Sequence, residues 1–233
     1  MASEQLSVAV ATNFVPVMQR LVAEHKTKTG ISARITSGST GKLVAQVLLG
    51  APHDLFFSAD QERVATLINE DVADAETRIT YAIGRIVYWA PSNDFGDLSF
   101  ENAFLASNPS TIALANAKLA PYGAAAERTL SEILEGQHTR PKFVTAENVG
   151  QVFAIVATGN SPAGFVALSA VTGNPDVDPR TYVVVPSSMH QPIKQDAIIL
   201  NRSKLKEQAI AFLNFVRGNQ GRQIIARFGY DLP

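Results

Sequence analysis

No cysteine occurs in the 233 residues. Disulfides, zinc–thiolate centres, iron–sulfur clusters and thiol nucleophiles are excluded together. Charge is also scarce and evenly divided, with 20 Lys and Arg against 21 Asp and Glu. That balance lacks the basic excess with which a nucleic-acid binder collects phosphates. No apolar stretch approaches the ~18 to 20 residues a membrane-spanning helix needs. Only four histidines are present, His25, His53, His138 and His190. They stand far apart, without the HExxH spacing of a zinc site, so no metal-ion centre is expected. What remains is a chain 46% hydrophobic. Its length suffices to bury roughly 70–75% of its unfolded surface without staples, as one large domain or as two lobes.

The apolar residues that are present change period along the chain. Leu6 to Ala11 reads as a buried strand, and Phe14, Val17, Met18, Leu21 and Val22 then recur at helical spacing. A second strand over Ile31 to Thr36 leads to a helix lined by Thr40, Leu43, Val44, Val47 and Leu48, which Gly50-Ala51-Pro52 stops. The short run Asp54 to Ser58 follows, with Asp60 placed to cap a helix carrying Val64, Leu67 and Ile68. Connections this short suit βαβ units in a parallel sheet covered by helices on both faces. Ile79 to Pro91 is a longer β-rich run containing one glycine. Strands at Thr111 to Ala115 and Lys142 to Thr145 then alternate with helices whose inward residues are Ala126, Leu130, Ile133 and Leu134, and Val149, Val152, Phe153 and Val156. Ala163 to Ala167, Thr181 to Val185 and Ile193 to Leu200 read as strands, and two helices close the chain.

The expected architecture is α/β, in two lobes with mainly parallel sheets flanked by helices. No Gly/Ser linker separates the halves, so structured crossings are expected near Tyr81 to Gly84 and Gln195 to Ala197. Lobe I then comprises residues 1–82 and 197–233, and lobe II residues 83–196, with a ligand cleft between them.

Four helices start directly after strands with small or hydrogen-bonding residues: Ala11-Thr12-Asn13, Ser37-Gly38-Ser39-Thr40-Gly41, Ala120-Pro121-Tyr122-Gly123 and Asn148-Val149-Gly150. Each start leaves backbone N–H groups without intrahelical partners and carries about half a positive charge from the helix dipole. In open α/β sheets ligands bind outside the carboxyl ends of the strands, where these starts lie. Any single one is more often an ordinary cap than a ligand. Asn148 with Gln151 fits a capping box, and Pro121 suits a first helical position. Two starts from each lobe together make a cage of N–H and O–H donors suited to an inorganic oxyanion.

Two other patterns fail on their spacing. Ser37 to Lys42 (SGSTGK) resembles the end of a phosphate-binding loop, but Thr36 and Leu43 stand where that motif needs Gly and Ser or Thr. Gly38-Ser39-Thr40-Gly41 is not a nucleophile elbow, and His53 beside Asp54 sends its side chain to the opposite face of a strand. No acid/base pair appears at the helix starts, so no enzymatic activity is expected.

The run GAPHDLFFSAD over residues 50 to 60, SGSTGKL before it and the ending FGYDLP resemble, across essentially the whole chain, the periplasmic molybdate-binding proteins that serve ABC importers. The resemblance implies a type II periplasmic-binding fold, in which two α/β lobes joined by two crossing segments close on one tetrahedral oxyanion, molybdate or tungstate. Carried over position by position, the ligand-holding residues are Asn13 with Thr12 beside it, Thr40 with Ser39 beside it, Tyr122 and Val149. Two positions depart from the common pattern. Asn13 stands where many members have serine, and Ala167 where many supply a tyrosine hydroxyl; either Tyr122 replaces that hydroxyl or the site has one bond fewer. The resemblance further implies no cofactor, a membrane permease as partner, and a location in the periplasm after removal of a leader, or on a lipid anchor outside the cytoplasmic membrane. One ligand between two lobes needs only a monomer. The rival readings are a binding protein for sulfate and a sensor or enzyme on the same fold. A sensor needs a DNA-binding extension for which 233 residues leave no room.

Overall fold

The computed structural model describes residues 5–136 and 140–233. His138 lies outside the described residues. The chain divides into two compact units, Met1–Ile83 with Lys194–Pro233, and Gly84–Ile193.

The first unit is a five-stranded sheet in the order β2-β1-β3-β10-β4. Its strands are β1 (Gln5–Ala11), β2 (Ser32–Gly38), β3 (Leu55–Phe57), β4 (Ile79–Gly84) and β10 (Ile193–Ile199). β1 pairs in parallel with β2 and with β3, whereas β10 runs antiparallel to β3. Alternation along β1 explains why nearly all of it is buried. Leu6, Val8 and Val10 face a core completed by α1 (Val15–Thr29), α8 (Lys206–Arg217) and α9 (Asn219–Arg227). Ala9 faces the other way, with Phe56 and Ile198, toward Leu43, Val44 and Val47 of α2 (Thr40–Leu48) and Val64 and Leu67 of α3 (Glu62–Asn69). Each fully buried Leu or Val stabilises the unit by roughly 1.5–3 kcal/mol relative to exposure. Asp60 does cap α3: its Oδ1 accepts from the Arg63 N–H at 3.0 Å.

The second unit repeats the arrangement, in the order β7-β6-β8-β5-β9. β6 (Thr111–Ala115) pairs in parallel with β7 (Lys142–Ala146) and β8 (Ala163–Ala167). β5 (Ile86–Trp89) runs antiparallel to β8 and to β9 (Tyr182–Val184). Both sheets are therefore mixed: the three βαβ strands of each are parallel, and antiparallel strands extend them. The long run from Ile79 to Pro91 is two strands, β4 and β5, which belong to different sheets. Tyr88 enters an aromatic cluster with Phe95, Phe104 and Phe165 at 5.3–6.1 Å. Its neighbour Trp89 points oppositely and stacks at 4.8 Å on Phe153 of α6 (Val149–Ala157). Two helices not evident from periodicity complete the unit, α4 (Phe100–Ser107) and the five-residue α7 (Leu168–Thr172), beside α5 (Pro121–Ile133).

Candidate functional site

All four sequence-derived helix starts are real, and each follows the carboxyl end of a parallel strand. In the first unit β1 ends at Ala11 opposite Gly38 of β2. The turn Thr12–Phe14 and the Ser39-Thr40 start of α2 are thus neighbours at one edge, since parallel strands lie about 4.8 Å apart. In the second unit β6 ends at Ala115 opposite Ala146 of β7, and from that edge the chain enters α5 at Pro121-Tyr122 and α6 at Val149. The structure thus groups Thr12 and Asn13 with Ser39 and Thr40, and Tyr122 with Val149.

The two hydroxyls at the start of α2 are in different situations. Thr40 Oγ1 accepts from the Ala59 N–H at 3.2 Å, tying α2 to the loop after β3. Ser39 is the N-cap residue, yet its side chain makes no cap hydrogen bond. Its Oγ is buried and has no hydrogen-bond partner, on a residue 2% exposed. A buried hydroxyl left without a partner costs roughly 1–3 kcal/mol. A nine-residue helix that begins with such a hydroxyl is prepared for an acceptor brought from outside.

Asn13 is held from inside the protein. Its Nδ2 donates to Gln195 Oε1 at 2.8 Å and to the Tyr230 hydroxyl at 3.0 Å. The Tyr230 hydroxyl donates back to the Asn13 carbonyl at 2.8 Å. Tyr81 faces Gln195 Oε1 and the Ser58 carbonyl, each at 2.9 Å. Burial, with Tyr230, Asp196 and Asp60 nearby, holds the Tyr81 phenol protonated well above its ordinary value of 10.0. β10 alternation places Gln195 on this face and Asp196 on the other, where Arg78 Nε at 2.6 Å and the Thr80 hydroxyl at 2.7 Å satisfy its buried carboxylate. The Asn13 side chain is thereby held in place from inside its unit.

In the second unit Tyr122 and Val149 are 2% and 4% exposed and stand in the first turns of α5 and α6. Asn148 caps α6, its Oδ1 accepting from the Gln151 N–H at 3.0 Å. Gln151 Oε1 returns to the Glu147 N–H at 2.9 Å, one residue earlier than a capping box requires. Ala167 is buried as the N-cap of α7. Arg85 was not among the sequence candidates, but it stands at this same edge, its carbonyl accepting from the Leu168 N–H at 2.9 Å. It brings the one positive charge that the β5–β8 pairing places beside Ala167. Only tertiary pairing reveals it.

His53 meets a serine that the sequence reading did not single out, Ser7, rather than Ser39. Ser7 Oγ lies 3.0 Å from His53 Nδ1, at the amino end of β1. Asp54 spends its oxygens on the Ser7 N–H at 2.8 Å and the Ser203 hydroxyl at 2.7 Å, so it does not orient the imidazole as a triad carboxylate does. Among the described residues no group of three His, Cys, Asp or Glu could hold a metal ion.

Residues 6–231 match the family described as bacterial extracellular solute-binding protein. The chain belongs to this family. It is 34% identical over 229 residues to the molybdate-binding protein ModA of Rhodobacter capsulatus, covering 98% of this chain and 89% of that one. ModA of Azotobacter vinelandii is likewise 34% identical over 232 residues, covering 98% and 90%. The solved structure of the Azotobacter vinelandii periplasmic molybdate-binding protein superposes with a TM-score of 0.89 at 33% identity, covering 98% of this chain and 99% of that one. The α/β fold of type II binding proteins is therefore shared along the whole chain. Among the described residues no helix is long and apolar enough to cross a membrane.

Proposed function

We propose that this solute-binding protein captures molybdate, and tungstate with it, and hands the ion to the permease of an ABC importer. The residues assigned to the ion are Thr12, Asn13, Ser39, Thr40, Tyr122 and Val149. The protein works outside the cytoplasmic membrane, free in the periplasm or on a lipid anchor, needs no cofactor, and acts as a monomer. The observation that carries this reading is the Ser39 hydroxyl, buried without a partner at the start of α2. The 34% identity to molybdate-binding proteins gives the ion its class.

Neutral donors suffice for such a dianion. A hydrogen bond to a charged group contributes about 1.5–3 kcal/mol net. Seven of them at the upper end supply about 20 kcal/mol, enough for the roughly 8 kcal/mol of micromolar binding together with the costs of ordering. An all-donor site also selects. At pH 7 phosphate keeps at least one proton, and a second for part of the time, and so asks for an acceptor, whereas molybdate, tungstate and sulfate are fully deprotonated. Size then separates sulfate from the two larger ions, which share charge and geometry.

A thermal-shift panel tests the proposal. Molybdate and tungstate at 100 to 1,000 times the dissociation constant are expected to stabilise the protein by on the order of 3–4 kcal/mol. Phosphate is expected to do nothing at the same concentration. Stabilisation by sulfate alone would assign the site to sulfate; no shift with any of the four would contradict oxyanion capture.

A further inference from the structure

The geometry points to Tyr230, in the C-terminal tail, as the positioning residue that aims the first oxyanion-binding turn, with Gln195 as its accessory. This deepens the proposed function and rests on it. The Tyr230 hydroxyl grips Asn13 at two points, accepting from Nδ2 at 3.0 Å and donating to the carbonyl at 2.8 Å. Gln195 Oε1 accepts the second hydrogen of the same Nδ2 at 2.8 Å, and Tyr81 in turn fixes Gln195. All four side chains are at most 5% exposed.

The consequence follows from peptide planarity. In a trans peptide the carbonyl and the next N–H point in opposite directions, and no peptide bond here is cis. With the Asn13 carbonyl drawn onto the Tyr230 hydroxyl, the plane of the Asn13–Phe14 peptide is fixed, and with it the short turn Thr12–Phe14. Pro16, three residues on, has no N–H to offer that carbonyl. Tyr230 supplies a donor in its place. The tail is held for this task. Gly229 takes φ 81, where glycine is favoured, and Asp231 exchanges two backbone hydrogen bonds with Ile83, at 2.8 and 3.0 Å. The Tyr230 ring meets Phe14 edge-on at 5.4 Å, so ring and hydroxyl register the same turn.

Calorimetric titration of molybdate into wild type, Tyr230→Phe and Tyr88→Phe tests this. Tyr230→Phe keeps the ring and loses both hydroxyl bonds; its dissociation constant is expected to rise about tenfold or more. Tyr88→Phe loses a comparable buried hydroxyl, bonded to Ser107 at 2.8 Å in the other unit, and is expected to melt lower yet bind as wild type does. A wild-type dissociation constant for Tyr230→Phe would overturn the inference, as would an equal loss in Tyr88→Phe, which would show that affinity merely follows stability. Wild-type protein that takes up no molybdate would overturn the proposed function, and this inference with it.

Discussion

Ser39 and Thr40 are adjacent hydroxyls at one helix start, and only the fold distinguishes them. Thr40 is tied to the Ala59 N–H, while Ser39 keeps a buried oxygen with no partner. From spacing alone the two are equivalent. Asn13 also changes its part: its amide is spent on Gln195 and Tyr230, which lie 182 and 217 residues away along the chain and which no local pattern connects to it. A buried residue at the opposite edge makes a prediction of its own. His53 has its affinity for protons lowered, first by burial and then by Arg34, against a smaller raising effect of Asp54. His25 is lowered by burial as well. The unfolded chain therefore takes up protons near the ordinary value of 6.5 that the folded chain refuses, and stability falls as pH drops below that value. Melting temperature is expected to decline between pH 7.5 and 5.5, and less steeply in His53→Gln, which keeps a neutral partner for Ser7. Parallel curves for the two proteins would remove His53 from that decline.

At the scale of elements, α5 shows how a helix start is placed. Gly123, in its first turn, lies so close to β6 that a Cβ there would stand 2.3 Å from the Ala115 carbonyl oxygen and 3.0 Å from the Ala117 nitrogen. Both obstacles are backbone, so the helix itself must move. Gly123→Ala is expected to destabilise the protein by about 1–3 kcal/mol, as overpacking does. It is also expected to weaken oxyanion binding, because Tyr122 shifts with the turn. Denaturant melts alongside molybdate titration check both, and an unchanged midpoint would contradict the close approach. Legibility follows the same physics. The strands and helices with a clear apolar period, such as β1, α1 and α2, were readable because each presents whole faces to a core. α4 and α7 escaped notice because eight and five residues hold too few turns for a period to show. The Ile79 to Pro91 run holds one glycine, Gly84, and it is there that the chain passes from one sheet to the other: β4 ends at Gly84 and β5 begins at Ile86.

At the scale of the molecule, the strand orders β2-β1-β3-β10-β4 and β7-β6-β8-β5-β9 are the same topology used twice. No sequence repeat betrays it, since a sheet requires only a pattern of burial and not particular residues. The consequence for function is that each unit ends its parallel strands in helix starts rich in donors. With a net charge of −1 the chain draws anions by little long-range attraction. On the proposed function, affinity then rests on short-range hydrogen bonds. The most direct measurement is a calorimetric titration of molybdate into Ser39→Ala beside wild type, with both unliganded melting temperatures. Because the Ser39 hydroxyl makes no hydrogen bond within the protein, its removal is expected to leave melting without molybdate essentially unchanged, although N-cap serines ordinarily contribute about 0.5–2 kcal/mol. The dissociation constant is expected to rise at least about tenfold, the equivalent of ~1.4 kcal/mol. An unaltered dissociation constant would contradict the claim that neutral donors at these helix starts hold the ion.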